Sequence, residues 1–309
     1  MGTSPEQAVD AINAVSGRHD GYRAAHAKGV LVTGTFTATP EAAALTRAAH
    51  MQGESTRVTA RFSNGSGNPK GPDSARDGRG LAVKFYLPDD TRTDIVAVTL
   101  PCFFVNSPDD FVKFTRAAKP IGNTEIPSPA LLLFLATHRS AWRAARAGMA
   151  LKPPPSYANC RYNAIHSFRW ADAGGGERWV RYSWLPEAGE ESISSDEANR
   201  RGRNYLQDEM PDELAKTPMR FALQVQIAAD GDPIDDATAV WPDDRETVAA
   251  GTLEITGMDT EREREPGDVL VFDPTRVTDG IELSDDPILR FRSPAYSVSV
   301  KRRSGAVKD

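Results

Sequence analysis

Tyr296, near the end of the chain, has Arg292 four residues before it and Arg303 seven after it, in the stretch FRSPAYSVSVKRR. If this stretch is helical, i,i+4 spacing puts the Arg292 guanidinium and the Tyr296 phenol on one face. A cation beside a phenol favours its anionic form, and a phenolate is one of the few side chains that ligate haem iron. An arginine stacked on a surface tyrosine fits the same letters. Of the five histidines, His26 sits among small residues in AAHAKG, where an imidazole has room to face a ligand. A surface or capping histidine is the plainer reading of that pattern. His19, His50 and His138 lie beside polar or charged residues and are expected to face solvent, whereas His166 reads as a satisfied strand histidine. Ser63 closes a strand in ARFS, where its hydroxyl could fix the tautomer of a histidine ring or simply start a turn.

Other chemistries lack their signatures. Gly65-Ser66-Gly67 has no accompanying GxxxxGK[ST], and no G-x-S-x-G elbow is present. The pairs Asp235-Asp236 and Asp243-Asp244 read as solvated loop carboxylates. The net charge of −6, with no sustained basic run before the final KRR, argues against nucleic acid or an anionic membrane as partner. The longest apolar block, ALLLFLA at 130–136, is too short to span a bilayer, and no secretory leader pattern opens the chain. Cys102 and Cys160 give neither a disulfide framework nor metal-ligand spacing, and are expected to be buried thiols in a reducing cytoplasm.

The elements that must position these residues are mostly strands. Ser4-Pro5-Glu6 starts a helix, and Ala8, Ile12 and Val15 give it an apolar stripe. Alternation predicts strands at 30–39, 56–63, 80–87 and 94–100, with short helices at 40–50 and 109–119 and a longer one at 127–149. A Gly/Asn/Pro/Asp-rich loop fills 64–78. Further on, 163–171 and 178–185 read as a hairpin, 221–228 and 252–255 as strands, and 266–280 as a loop leading to the last helix. Short strands separated by turn chemistry predict an antiparallel barrel with surrounding helices, an α+β fold. With 39% hydrophobic residues the chain can bury a substantial core, and no linker divides it.

Four segments then combine: AAHAKGVLVTGTFTAT, ARFSNGSGNPKGPDSARDGRGLAVKFY, LPCFFVNSPDDF, and FDPTRVTDGIELSDDPILRFRSPAYSVSVKRR. Together they resemble the haem catalase superfamily in order and separation. The lack of a longer N-terminal arm and of further C-terminal helices resembles its shortened branch, the catalase-related peroxidases. The resemblance implies a catalase-like antiparallel β-barrel of about eight strands in a single domain, 1–309. A helical segment at 1–20, a barrel core at 21–275 and a haem-ligand helix at 288–303 would make it up. It implies haem b, with Tyr296 as proximal iron ligand and Arg292 stabilising its phenolate. His26 falls on the distal catalytic histidine and Ser63 on the serine that orients it. Arg23, Arg61 and Arg303 match the arginines that hold the haem propionates, and Phe111 the phenylalanine on the distal haem face. One position departs: Thr99 stands where full catalases carry the distal asparagine, and Asn106 is not that position. The expected activity is reduction of hydrogen peroxide or organic hydroperoxides by an organic electron donor, with weak oxygen evolution, in a cytoplasmic homodimer. A haem carrier without turnover and a fatty-acid hydroperoxide-rearranging enzyme are the alternatives.

Overall fold

The computed structural model describes residues 2–119, 128–259 and 270–305. Nine strands lie among them: β1 Gly29–Ala38, β2 Thr56–Asn64, β3 Arg79–Tyr86, β4 Arg92–Val98, β5 Tyr162–Ala171, β6 Glu177–Pro186, β7 Met219–Ile227, β8 Thr247–Met258 and β9 Ile281–Leu283. The helices are α1 Pro5–Ser16, α2 Pro40–Leu45, α3 Pro108–Ala117, α4 Pro129–Thr137, α5 Ala141–Ala150, α6 Ser195–Arg201, α7 Tyr205–Asp208, α8 Met210–Lys216 and α9 Pro287–Arg303.

The strands pair antiparallel in the order β4-β3-β2-β1-β8-β7-β6-β5-β9, and a further β4–β5 pairing, Val98 with Asn163, closes the sheet into a barrel. Eight full strands form the wall, as the sequence predicts. The three-residue β9 pairs outside them on β5, so barrel structure extends past residue 275. Inward-facing aromatic rings fill the interior. Phe36 sits edge-on to Phe85 at 5.3 Å and to Trp184 at 5.9 Å, and Phe62 stacks on Tyr157 at 5.3 Å. Such pairs contribute about 0.5–1.5 kcal/mol each beyond their buried area.

Three sequence expectations shift. The helix expected at 127–149 is two helices, broken at His138, whose ring stacks on Phe134 at 3.9 Å; Pro127 lies outside the described residues. There the Thr137 hydroxyl lies within donating distance of the Leu133 and Phe134 carbonyls, contacts that compete with a continuing helix. Strand β8 is far longer than 252–255, because its partners β1 and β7 supply a ladder along its whole length. His50 is buried at 1% exposure, its ring 4.7 Å from Phe85, not at the surface as its polar neighbours suggest. His138 and His19 are half-buried. Both cysteines are buried and free, as expected. Among the described residues no helix is long and apolar enough to cross a membrane.

Antiparallel order brings strand starts and strand ends alternately to one rim. Gly29 opening β1 pairs with Ser63 at the end of β2, Ser63 with Gly80 at the start of β3, and Gly80 with Val98 at the end of β4. This row of small residues is the shelf on which the candidate site is built.

Candidate active site

His26 lies just before β1 and adopts a left-handed backbone, φ 53°, which a non-glycine residue takes only at a cost of about 1–3 kcal/mol. The loop 64–78 holds it there, since the His26 and Ala27 amides donate to the Gly65 and Ser66 carbonyls at 3.1 and 3.0 Å. The ring then lies over the shelf, its Nδ1 3.0 Å from Ser63 Oγ. Only glycine fits beneath. A Cβ at Gly80 would stand 2.8 Å from Ser63 Oγ and 3.0 Å from the His26 ring. Burial, with Arg61, Arg292, Arg23 and Arg79 nearby, pushes the His26 pKa down to about 3, so the imidazole is neutral across the physiological range.

Arg61 projects from β2 past Gly29, where a Cβ would come within 2.8 Å of its guanidinium, and donates to the Ala27 carbonyl at 3.2 Å. Arg23 and Arg303 come from opposite ends of the chain and both donate to the Leu270 carbonyl, at 2.9 and 3.4 Å. Arg61 and Arg23 therefore stand near His26, and Arg303 joins Arg23 at the Leu270 carbonyl. Thr99 follows β4 on the same rim. Its hydroxyl accepts the Arg79 amide at 3.0 Å, so it is held by the backbone next to Gly80. The Phe111 ring stacks at 6.1 Å on Phe103 and 5.8 Å on Phe104, and packs with Val112 against α1 and Phe291 of α9.

Tyr296 lies within α9, and Pro294 inside that helix does not end it. Arg292 donates twice to the phenol oxygen, from Nε at 2.9 Å and Nη2 at 2.6 Å. Two N–H groups of one guanidinium thus converge on a single oxygen. Behind Arg292 stand two residues whose part the sequence did not reveal. Arg292 Nη1 is 3.1 Å from His166 Nε2, and His166 Nδ1 is 2.7 Å from Asp286 Oδ2. A guanidinium can only donate, so Nε2 accepts and Nδ1 carries the proton to Asp286. The other Asp286 oxygen caps α9 by accepting the Ile288 and Leu289 amides at 2.8 and 3.3 Å. Burial holds the His166 pKa below its ordinary value, against the pull of Asp286.

Head and tail meet directly: the Ala24 amide donates to Ser299 Oγ at 3.3 Å. Arg302 of α9 also pairs with Asp10 of α1 at 2.6 Å. The segment that carries His26 and the helix that carries Tyr296–Arg292 are thus in contact, and the Arg292 charge acts on the His26 ring. A neutral imidazole, a phenol oxygen held by a guanidinium, and further guanidinium groups for carboxylates are a donor set that a haem with two propionates can use, so these residues fit that group.

A closed antiparallel barrel carrying such a constellation defines a haem-protein class, and comparison with known proteins gives the family. The family model for catalase matches residues 8–308, and the chain belongs to the catalase family, whose members bind haem. It is 45% identical to a catalase-related peroxidase of Mycolicibacterium paratuberculosis, over 98% of this chain and 96% of that one. It is 33% identical to a catalase-related peroxidase of Synechococcus elongatus, over 98% of this chain and 89% of that one. A fungal catalase structure superposes with a TM-score of 0.80 at 24% identity, and a bacterial catalase with 0.77 at 23%. The chain spans 62% and 58% of those two catalases.

Burial of His26 and His50 sets an acid limit to stability. Both pKa values are lowered to about 3, for His50 by burial alone, while an unfolded histidine titrates near ~6.5. A lowered folded pKa means stability that is complete above the unfolded value and lost as pH falls toward the folded one. Each histidine is expected to remove about 1.4 kcal/mol per pH unit between roughly pH 6 and 3. Urea melts at stepped pH check this, and His50→Phe is expected to flatten the slope by about one proton.

Proposed function

We propose that the chain is a single-domain haem peroxidase that reduces hydrogen peroxide or organic hydroperoxides at the expense of a small organic donor. The observation that carries this reading is the clasp of two paired constellations, His26–Ser63 from the head and Tyr296–Arg292 from the tail, through Ala24 and Ser299. The similarity to catalase-related peroxidases supports the same reading. The group held is haem b, which supplies the two-electron chemistry of O–O cleavage when bound.

In this reading Tyr296 would give its oxygen to the haem iron, and Arg292, backed by His166 and Asp286, would hold that oxygen in place. Arg23, Arg61 and Arg303 would bind the propionates, and Phe111, stacked with Phe103 and Phe104, would pack against the macrocycle. With its hydrogen on Nδ1, His26 would donate to Ser63 Oγ and leave the Nε2 lone pair for the substrate. Nε2 takes the proton from one peroxide oxygen and returns it to the other, which leaves as water or alcohol. The low pKa keeps this base unprotonated without an external acceptor. Thr99 is the point of divergence from oxygen evolution. Its hydroxyl is engaged by the Arg79 amide, and it is shorter than an asparagine side chain. Loss of one hydrogen bond to a second peroxide molecule costs about 1–3 kcal/mol, roughly tenfold to a hundredfold in that step.

Haem-loaded protein is expected to show the absorption spectrum of a five-coordinate, phenolate-ligated ferric haem. With tert-butyl hydroperoxide it is expected to oxidise a dye donor faster than it evolves oxygen from hydrogen peroxide. Vigorous oxygen evolution with no dye oxidation overturns the proposal. We also place the protein in the cytoplasm as a homodimer, with exposed Leu132, Leu133 and Trp142 on α4 and α5 as the contact surface; light scattering of Leu133→Glu against the parent tests this.

A further inference from the structure

We infer that Asp94 and Arg276, on the outer wall of the barrel, are positioning residues for the carboxylates of the bound cofactor. They fix the crossing segment 270–276, whose Leu270 carbonyl sets Arg23 and Arg303. This rests on the haem reading and adds the residues that keep two of its arginines in place. The Leu270 carbonyl accepts both guanidinium groups, from Arg23 Nη2 at 2.9 Å and from Arg303 Nη2 at 3.4 Å. One backbone oxygen with two lone pairs thus ties together side chains from the head and the tail of the chain. Whatever fixes that oxygen fixes both.

The outer wall supplies the fixing groups. Leu81, Val83 and Phe85 of β3 and Ile95 and Ala97 of β4 belong to the barrel core, so strand alternation turns Lys84 and Asp94 outward. The two are register partners and form an ion pair. An outward lysine ordinarily reaches water, yet Lys84 is 1% exposed and Asp94 4%. The segment 270–276 covers them. Leu270 and Phe272 pack with Leu31, Ala82 and Val96 of the wall, and the Phe272 ring centroid lies 5.3 Å from Lys84 Nζ.

Apolar packing is non-directional and would let the segment slide along the wall; the Asp94 carboxylate selects one position. Its Oδ2 accepts the Asp273 amide at 2.9 Å and Arg276 Nη1 at 2.6 Å, while its Oδ1 takes Lys84. The same Arg276 nitrogen donates to the Val271 carbonyl at 3.0 Å, next along the chain from Leu270. The Arg276 carbonyl in turn accepts the Asp94 amide at 3.1 Å and the Thr93 hydroxyl at 2.9 Å. A buried ion pair costs desolvation that two apolar side chains in its place would not. Stability alone therefore does not account for it, and the position it dictates does.

The test compares protein loaded with ferric protoporphyrin IX and protein loaded with its dimethyl ester, which has no free carboxylate. Arg276→Leu is expected to speed release of the free-acid haem to apomyoglobin about tenfold, and release of the ester less than about twofold. Arg276→Gln and Asp94→Asn are expected to show the same selectivity, and Arg276→Gln carries the comparison if another variant does not fold. In an Arg23→Ala background the Arg276→Leu effect on free-acid haem is expected to shrink, a cycle that decides the matter where the ester is held too weakly to time. Equal acceleration for both cofactors reduces the cluster to general stability and overturns the inference, as does no acceleration in any variant. A parent protein that holds neither cofactor overturns the haem reading itself, and the inference with it.

Discussion

Tyr296→Phe is expected to cut peroxide-dependent donor oxidation by more than about a hundredfold and to erase the phenolate-to-iron absorption of the haem-loaded protein. The bound comes from the residues behind a ligand, whose loss already costs roughly ten- to a hundredfold in metalloproteins. Phenylalanine keeps the ring volume within α9 and removes only the oxygen, so the fold is expected to survive. The same change leaves Arg292 without the oxygen to which it donates at 2.9 and 2.6 Å, though His166 still holds its Nη1. Circular dichroism and thermal melts separate loss of ligation from loss of structure. A variant that retains both the spectrum and the rate removes Tyr296 from the site.

His26→Ala is the second large effect, and it separates an enzyme from a carrier. General acid–base catalysis contributes about 10²–10⁴-fold, so the rate with either peroxide is expected to drop by that factor. Haem binding is expected to persist, because Tyr296 and the three arginines remain. Alanine also relieves the left-handed φ of 53° less well than glycine does, so His26→Gly is the companion variant for stability. Equal rates for His26→Ala and the parent leave only haem storage or transport as the function. Because the pKa is lowered to about 3, the parent's rate with hydroperoxide is expected to stay level from neutral pH into the acid range, until acid unfolding intervenes.

Legibility in the sequence followed the range of the interactions. The Arg292–Tyr296 pair is local, set by helical spacing, and could be read directly. Strand alternation made the barrel legible, and the motifs around His26, Ser63 and Arg61 were carried by the family resemblance. The long-range partners were hidden. His166 sits in β5 and Asp286 at the cap of α9, and only the topology brings them behind Arg292. An alternating apolar context predicts burial for His166, which is correct, but burial does not reveal whom the ring touches. Asp286 carried one usable sign, an acid just before Pro287 at a helix start, which marks a cap. His50 was misread for the opposite reason: polar neighbours suggested exposure, while the turn Ala49–Met51 packs its ring on Phe85. The shelf of Gly29, Ser63, Gly80 and Val98 belongs to strand register, a property no single segment contains.

The Ala24–Ser299 bond has a consequence for biosynthesis. A ribosome adds about 5–20 residues per second, so the imidazole leaves the exit tunnel on the order of tens of seconds before the tyrosine is even translated. On the proposed reading, capture of a cofactor through both poles waits until α9 has been made, and a chain cut before that helix is expected to retain no iron. Metal-loaded protein would report, by its colour alone, that synthesis ran past the final helix.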